Sequence, residues 1–338
     1  MPEDGKMSEK NNILEVRNLK VYYPLRGSWF GKKRYLRAVE DVSFTLARGE
    51  TLGLVGESGC GKSTLGRALV RLEKSISGEI ILNGRDIARL EGRALRDCRK
   101  EFQMIFQDPY GSLNPRLSIL SALDEVLRLR YPGEKTAVRR ERAAGLLERV
   151  GLDSGALERY PHQFSGGQRQ RIGIARALAG DPGFIVADEP VSALDVSVQA
   201  AVVNLLLDIQ KESGTAFLFI AHDIAVVEHI SNRIMVMYLG HVMESASSHE
   251  LVAFPEHPYT QALLSAVPTV GGNHQERIVL SGDVPSPLAP PSGCPFHPRC
   301  PYAQEKCRCT LPPWQEKDGH GVRCFFPLGK KIKKQNQR

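Results

Sequence analysis

The feature that most limits the possible fold is a glycine-rich stretch between a short apolar strand and a helix. Residues 56–64 read GESGCGKST, and they directly follow the apolar run from Thr51 to Val55. Over residues 62–72, apolar side chains recur at a spacing that places them on one face of a helix. A strand, a glycine-rich loop and a helix in this order match the phosphate-binding loop pattern. The stretch therefore predicts an α/β fold that binds the phosphates of a nucleotide.

Each part of this loop has a physical role. Glycines allow backbone amides to point inward around the phosphates, and the N-terminus of the following helix favours anions. Lys62 would add a positive charge toward the β- and γ-phosphates, and the Ser63 hydroxyl can bind Mg²⁺. We expect the nucleotide to be bound by Gly56, Ser58, Gly59, Cys60, Gly61, Lys62, Ser63 and Thr64.

Two adjacent acidic residues end a second apolar strand. Asp188 and Glu189 directly follow the apolar residues 184–187. A carboxylate at the end of a buried strand is costly unless it has a partner, and this position suits one that binds Mg²⁺. Glu189 would then polarise the attacking water. The alternative is a solvated pair of acids at a strand end.

Strands and helices alternate along most of the chain, which predicts a core with a largely parallel sheet. A basic loop is expected over residues 26–37, and residues from about 110 to 180 are expected to be mostly helical. After residue 254 prolines become frequent, so we expect a first domain over residues 1–254 and an irregular extension over residues 255–338. Further strands are expected over residues 13–23, 42–46, 79–82, 215–221 and 234–238.

Composition narrows the class of protein further. Hydrophobic residues make up 42% of the 338 residues, and no uninterrupted apolar run is long enough for a membrane span. The first 12 residues are polar and lack the apolar core of a signal peptide, which predicts a cytoplasmic protein. The net charge of +7 fits either a solvated basic surface or contact of residues 330–334 with anionic lipid.

Several short motifs follow one another in a defined order. Residues 164–171 read FSGGQRQR and lie between the glycine-rich loop and the acidic pair. Gln107 precedes an Asp-Pro pair, residues 192–195 read SALD, and His222 follows an apolar run. With these motifs the chain resembles, over nearly its whole length, the ATP-binding subunit of a dipeptide/oligopeptide-type ABC importer.

The resemblance implies a P-loop ABC ATPase core with an antiparallel β subdomain, an inserted helical subdomain and a C-terminal cysteine-rich extension. ATP would be hydrolysed with Mg²⁺. Glu189, His222 and Gln107 would have the catalytic roles, and Ser63, Gln107 and Asp188 would bind the Mg²⁺. Gln107 would also contact the membrane partner.

Other motif residues would act at the edges of the nucleotide. The resemblance places Tyr23 against adenine, with the adjacent Tyr22 as the alternative. Ser165, Gly166, Gly167 and Gln168 would lie at a helix N-terminus and cap the γ-phosphate bound by the opposite subunit. Residues 192–195 would lie at the interface between the two subunits.

The same resemblance implies a set of partners. These are a second ABC ATPase subunit, two membrane permease subunits and an extracytoplasmic solute-binding protein, with no nucleic acid. The chain would lie peripherally on the cytoplasmic face of the membrane. The sequence leaves open which solute is transported, and whether the second ATPase is identical or a paralogue.

Five of the seven cysteines lie between positions 294 and 324. They follow residues 257–264, which read HPYTQALL and resemble the extension of peptide-importer ATPases. The resemblance implies that Cys294, Cys300, Cys307 and Cys324 hold an iron–sulfur cluster. Their spacing is wider than in an ordinary zinc knuckle, but zinc and unliganded thiols remain alternatives. The pattern assigns no role to Cys309.

Two other kinds of function are alternatives to transport. A soluble ABC ATPase that acts on DNA or the ribosome usually has two ATPase units or long coiled-coil insertions, and this sequence has neither. A metal-dependent scaffold that binds ATP without turnover would not need Glu189 and His222. The motifs therefore favour an ATP-hydrolysing transport subunit.

Overall fold

The computed structural model describes residues 11–25, 34–74, 76–192, 194–266 and 278–329. Its strands are β1 Asn12–Pro24, β2 Tyr35–Ala47, β3 Thr51–Val55, β4 Ile76–Leu82, β5 Arg85–Asp86, β6 Phe102–Ile105, β7 Phe184–Asp188, β8 Ala216–Ile220, β9 Arg233–Tyr238, β10 His241–Ser247, β11 Gln315–Lys317 and β12 His320–Val322. Its helices are α1 Lys62–Leu69, α2 Gly92–Cys98, α3 Pro109–Ser112, α4 Ile119–Arg130, α5 Thr136–Arg149, α6 Gly166–Leu178, α7 Val196–Ser213, α8 Ile224–Ile230, α9 Ser248–Ala253, α10 Pro258–Ser265 and α11 Glu305–Cys309.

Two sheets organise the chain. The larger sheet has eight strands in the order β11-β12-β10-β9-β3-β8-β7-β6, and the strands from β9 to β6 pair in parallel. Every residue of β3, β7 and β8 is buried, as expected when both faces of a parallel sheet are covered. The smaller sheet is antiparallel, in the order β2-β1-β4-β5. The expected α/β core with an antiparallel sheet beside it is present.

The parallel strands bring the motif-bearing loops together. The glycine-rich loop follows β3, Asp188 ends β7, and His222 comes shortly after β8, which lies between them in the sheet. The carboxyl ends of parallel strands meet at one edge of the sheet, where open α/β proteins bind their ligands. One edge therefore carries most of the predicted site.

Four helices lie between β6 and β7, where the sequence predicts a mostly helical segment. Helices α4, α5 and α6 contact one another through buried apolar side chains that include Leu123, Leu147 and Ile172. Within the described ranges, no helix is long and apolar enough to cross a bilayer.

Some boundaries differ from the sequence expectation. The predicted loop over residues 26–37 is wrong at its end, because β2 begins at Tyr35 and pairs with β1 there. Residues 26–33 lie outside the described residues, as do the basic residues 330–334 and Ala193. Helix α1 ends at Leu69 rather than at residue 72, since Arg71 has a φ of 53° that a right-handed helix does not allow.

The chain after residue 254 joins the main sheet. Strand β12 pairs antiparallel with β10, and β11 adds a further strand outside it. A buried ion pair between His320 and Glu244 connects the same two strands, with 2.7 Å between His320 Nε2 and Glu244 Oε1. The region is therefore attached through sheet pairing and a buried polar contact, although most of it is irregular.

Candidate active site

The glycine-rich loop connects the carboxyl end of β3 to α1, and two of its glycines are required by the backbone. Gly56 has a φ of 153°, and a Cβ there would lie 2.2 Å from the Met237 carbonyl oxygen. Gly61 has a φ of 106°, and a Cβ there would lie 2.1 Å from the Ala38 carbonyl oxygen. Only glycine fits these positive φ angles and close contacts. They bend the loop so that it runs directly into the N-terminus of α1.

Lys62 lies at the first position of α1 and is 5% exposed. Its Nζ donates hydrogen bonds to the carbonyl oxygens of Gly56 at 2.7 Å and Glu57 at 3.0 Å. A buried ammonium needs such partners, and they hold the charge inside the curve of the loop. A phosphate bound at this helix N-terminus would therefore meet a positioned cation.

Two oxygen-bearing side chains that could bind a metal meet beside the loop. The Ser63 hydroxyl donates a 2.8 Å hydrogen bond to Asp188 Oδ1, and Asp188 is 1% exposed. Burial raises the pKa of Asp188 above its ordinary value, while the Ser63 hydrogen bond acts to lower it. A hydroxyl and a carboxylate are oxygen ligands that suit Mg²⁺, which usually completes its shell with phosphate and water. The pair fits the predicted magnesium position.

Two polar side chains from separate parts of the chain converge on Glu189. Gln107 Nε2 donates to Glu189 Oε2 at 2.8 Å, and His222 Nδ1 lies 3.8 Å from the same oxygen. The Glu189 backbone has a φ of 47° and its amide donates to the Ile220 carbonyl oxygen at 2.9 Å. A non-glycine residue in this conformation stores strain that is common at functional sites. The structure therefore brings together the three residues predicted to be catalytic.

Most of these groups border one cavity of about 290 Å³, although Asp188 and His222 do not line it. The predicted residues that line it are Tyr23, Ser58, Gly59, Gly61, Lys62, Ser63, Thr64, Gln107 and Glu189. Gly56 and Cys60 belong to the same loop but are buried and do not line the cavity. Tyr23 lines the cavity, whereas the Tyr22 hydroxyl donates to Glu40, so the geometry favours Tyr23 for contact with a base.

The residues of the 164–171 motif lie elsewhere. Ser165 is the N-cap of α6, where its Oγ accepts from the Gln168 amide at 3.3 Å. Gln168 Oε1 accepts from the Ser165 amide at 3.0 Å, which completes a capping box. Ser165, Gly166, Gly167 and Gln168 line a separate recess of about 420 Å³ with Leu152, Arg171, Leu194, Asp195 and others. None of the four lines the cavity beside Lys62.

Four cysteines border a third, much smaller cavity. Cys294, Cys300, Cys307 and Cys324 line it, and its volume is about 20 Å³. Burial, with added repulsion from the neighbouring thiols, raises the pKa of Cys294 to about 12. Nevertheless, in the part of the chain that the structure describes, no three His, Cys, Asp or Glu side chains are arranged so that they could hold a metal ion. The structure gathers the predicted cysteines but does not support the predicted cluster.

The sequence motifs did not identify several residues of the site. Leu239, Gly240 and Pro287 line the cavity beside Lys62, and Tyr259 and Arg299 contact Glu57 in the glycine-rich loop. Tyr259 and Arg299 lie 202 and 242 positions away from Glu57 in the sequence. No short-range pattern connects positions so far apart. The HPYT stretch resembles an extension motif, but that resemblance does not predict the contact between Tyr259 and Glu57.

Comparison with known proteins agrees with this geometry. Residues 39–192 match the ABC transporter family, and residues 243–307 match the C-terminal region of oligopeptide/dipeptide transporters. The chain is 51% identical to the oligopeptide transport ATP-binding protein AppF of Bacillus subtilis, over 94% of this chain and 98% of that protein. It is 49% identical to the dipeptide transport ATP-binding protein DppF of Haemophilus influenzae, over 95% of this chain and 98% of that protein.

Solved structures show a similar fold. One is a dimeric structure of an ATP-binding cassette in a post-hydrolysis state, bound to ADP and Pi. It has a TM-score of 0.63 and 28% sequence identity, and the match covers 70% of this chain and 98% of that one. A second is cbiO1 from Clostridium perfringens, part of the ABC transporter complex cbiONQ, with a TM-score of 0.61 and 26% identity, over 72% of this chain and 91% of that one.

Proposed function

The chain belongs to the ATP-binding subunits of oligopeptide and dipeptide ABC transporters, and we propose that it hydrolyses ATP to power the import of peptides or similar small solutes through membrane subunits. One observation carries the residue-level part of this proposal. Glu189, Gln107 and His222 converge beside the loop that holds Lys62. A carboxylate in that place can polarise a water next to the γ-phosphate.

The binding steps follow from the described contacts. Loop amides and the Lys62 ammonium would bind the phosphates, and Tyr23 would contact the adenine. Burial, with a contribution from Glu73, raises the pKa of Tyr23 to about 12, and the ring is neutral at physiological pH as an ordinary tyrosine is. Ser63 and Asp188 would hold Mg²⁺, with Gln107 as a further ligand. When bound, the metal would supply positive charge that stabilises the phosphates.

Hydrolysis then needs an activated water. Glu189 would accept a hydrogen bond from the water that attacks the γ-phosphorus, while the bond from phosphorus to the oxygen of the β-phosphate breaks. The products are ADP and inorganic phosphate, and the proton released by the water passes to Glu189 or to phosphate. His222 and Gln107 would contact the γ-phosphate and fix the orientation of Glu189. General-base assistance of this kind typically contributes about 10²–10⁴-fold to a rate.

We propose that a second ATPase subunit completes the site. Ser165 to Gln168 lie at the start of α6 but face a recess outside their own nucleotide cavity. A helix N-terminus that faces outward can cap the phosphate bound by a facing subunit. The dimeric ATP-binding cassette bound to ADP and Pi supports this arrangement by similarity. The second subunit would be a copy of this chain or a paralogue.

The remaining partners follow from the transport role. We propose a nucleotide-binding domain over residues 1–254 whose helices between β6 and β7 form a helical subdomain that contacts two permease subunits. The chain would then be peripheral on the cytoplasmic face of the membrane. An extracytoplasmic solute-binding protein would deliver the solute. Residues 255–338 would form the extension typical of peptide importers.

We also propose a metal site at the four clustered cysteines, an iron–sulfur cluster or alternatively zinc. The donor set supports this, because Cys294, Cys300, Cys307 and Cys324 border one cavity, and bound metal would stabilise their thiolates. The cavity of about 20 Å³ has room for roughly one or two water molecules, so a cluster requires the surrounding segments to separate.

Assays for iron, acid-labile sulfide and zinc after purification without oxygen test this site. Stoichiometric iron with sulfide would establish the cluster. Stoichiometric zinc without sulfide would show that the site holds zinc instead. Cys300→Ser should release the metal, whereas Cys309→Ser should retain it. If the purified protein contained neither metal, the site would be excluded.

Purification of the chain from membranes tests the transport role. We expect two multispan permease subunits and a second ATPase to copurify with it. In proteoliposomes, a peptide-loaded binding protein should increase ATP hydrolysis by the complex. A stable complex with ribosomes or DNA, and no association with permeases, would contradict the proposal.

A further inference from the structure

The glycine-rich loop is held in place by two side chains from the C-terminal region. The Glu57 amide donates a 2.8 Å hydrogen bond to the Tyr259 hydroxyl. The Glu57 carboxylate accepts a 2.6 Å hydrogen bond from Arg299 Nη1 and forms an ion pair with it. The Glu57 carbonyl accepts from Lys62 Nζ at 3.0 Å. Amide, carbonyl and carboxylate of this one residue therefore each have a fixed partner.

The two side chains are themselves buried, and Tyr259 is packed in an aromatic cluster. Tyr259 is fully buried and Arg299 is 9% exposed. The Tyr259 ring contacts the rings of Tyr238 and Phe296, with centroids 4.8 Å and 5.3 Å away. Tyr238 and Phe296 also contact each other edge to face at 5.4 Å. Such a cluster leaves the Tyr259 hydroxyl little freedom to move away from Glu57.

Stability alone does not explain why these contacts are polar. Replacing a buried ion pair with apolar side chains of similar volume is often neutral or stabilising. Polar contacts are directional, whereas apolar ones are not. The Tyr259 hydroxyl fixes the peptide between Gly56 and Glu57, and the Arg299 guanidinium fixes the Glu57 side chain. These contacts hold the segment that leads into Ser58 and Gly59, which line the nucleotide cavity.

We propose that Tyr259 and Arg299 are positioning residues of the nucleotide site, which act through Glu57 to hold the phosphate-binding loop in the shape that binds ATP. This inference rests on the proposed nucleotide-binding function. Neither side chain lines the cavity, so both act on the nucleotide through the loop backbone. The C-terminal region thus contributes to nucleotide affinity.

Tyr259→Phe is the sharpest single test, because it removes one hydrogen-bond acceptor and keeps the ring. The Glu57 amide then loses its partner and the loop gains alternative orientations. We expect the dissociation constant for ATP with Mg²⁺ to rise about 3–10-fold in the full-length protein. In the assembled transporter the KM for ATP should rise by a similar factor, with kcat within about 2-fold, because Glu189 is untouched.

Arg299→Met tests the other contact and has a matched control in Arg323→Met. Arg323 also lies in the C-terminal region, where it donates to the carbonyl oxygens of Val242 at 3.2 Å and Pro312 at 3.3 Å, but it does not contact the loop. Both substitutions remove a partly buried guanidinium. We expect only Arg299→Met to weaken ATP binding, by about 3–10-fold, although both lower the thermal midpoint.

A double variant shows whether Arg299 acts through Glu57. In a Glu57→Gln background, Arg299→Met should weaken ATP binding less than it does in the wild type, since the two residues form one contact. Two results would overturn the inference. One is unchanged ATP affinity in both Tyr259→Phe and Arg299→Met. The other is an equal loss of affinity in Arg323→Met. If the wild-type protein bound no ATP at all, the proposed function itself would fail.

Discussion

Two helices in this molecule begin in glycine-rich sequence, and their N-termini differ in what they face. Helix α1 begins after Gly61, which makes no side-chain cap, and the buried Lys62 follows at its first position. Helix α6 begins after Ser165, which is joined to Gln168 in a capping box. The first N-terminus faces the cavity with Glu189, and the second faces a separate recess.

The two helix N-termini have similar local sequences but are suited to different parts of nucleotide binding. At α1 the amides and the ammonium are directed into the chain's own cavity, so this end can bind a nucleotide by itself. At α6 the cap fixes the helix start, and the glycines are presented outward without a lysine. The second end is suited to complete a site rather than to form one.

The largest expected effect is on ATP turnover, and it comes from Glu189, which lines the cavity next to α1. Glu189→Gln keeps the shape of the side chain but removes its charge, so it cannot accept a proton from water. We predict a loss of ATP turnover of about 10²–10⁴-fold with ATP binding retained. The ATP-bound pair of subunits should accumulate, which light scattering would detect. Near-normal turnover in the assembled transporter would exclude the role assigned to Glu189.

Alanine substitutions at the two helix N-termini should differ in their effects, because the backbone requires glycine at Gly61 but not at Gly166. Gly61→Ala introduces a Cβ 2.1 Å from the Ala38 carbonyl oxygen at a φ of 106°, so it should destabilise the fold by at least about 1 kcal/mol and weaken ATP binding strongly. A Cβ at Gly166 meets nothing within 4 Å. Gly166→Ala should therefore leave the unfolding free energy and the ATP affinity of the isolated subunit unchanged. Equal losses in denaturant titrations of the two variants would contradict this comparison.

A smaller effect is expected from the cap of α6. Ser165→Ala removes the hydroxyl that accepts from the Gln168 amide, which should lower stability by about 1 kcal/mol. Ser165→Asn provides the control, because asparagine is an equally good N-cap residue. Thermal unfolding with and without ATP should show the same nucleotide-induced shift in both variants. A reduced shift would mean that Ser165 contacts the nucleotide of its own subunit.

Much of the site could be predicted because its residues are local in sequence. The glycine-rich loop is a continuous motif, and β3 and β7 end where their apolar runs end, which places Asp188 beside Ser63. Gln107 and His222 are weak signals alone, and their order along the chain identified them. The structure brings both to Glu189.

The contribution of the C-terminal region could not be predicted in the same way. Its frequent prolines predict an irregular extension, whereas in the structure β12 pairs with β10 and an aromatic cluster of Tyr238, Tyr259 and Phe296 packs beside the sheet. Tyr259 and Arg299 reach Glu57 across more than 200 positions of sequence, and such contacts depend on the folded topology. The four cysteines also depend on the folded topology. They border one cavity, but their spacing in the sequence cannot give the geometry of a metal site.

We propose that the two helix N-termini serve different nucleotides, and the Ser165→Arg variant distinguishes them. The dissociation constant for ATP is measured on the isolated subunit, and turnover is measured on the assembled transporter. We expect ATP affinity within about 2-fold of wild type and turnover reduced at least about 10-fold, because the bulky cation would block the facing site. Lys62→Ala should lose ATP affinity in the same assay. If Ser165→Arg abolished ATP binding by a folded, isolated subunit, as Lys62→Ala does, the shared-site account would be wrong.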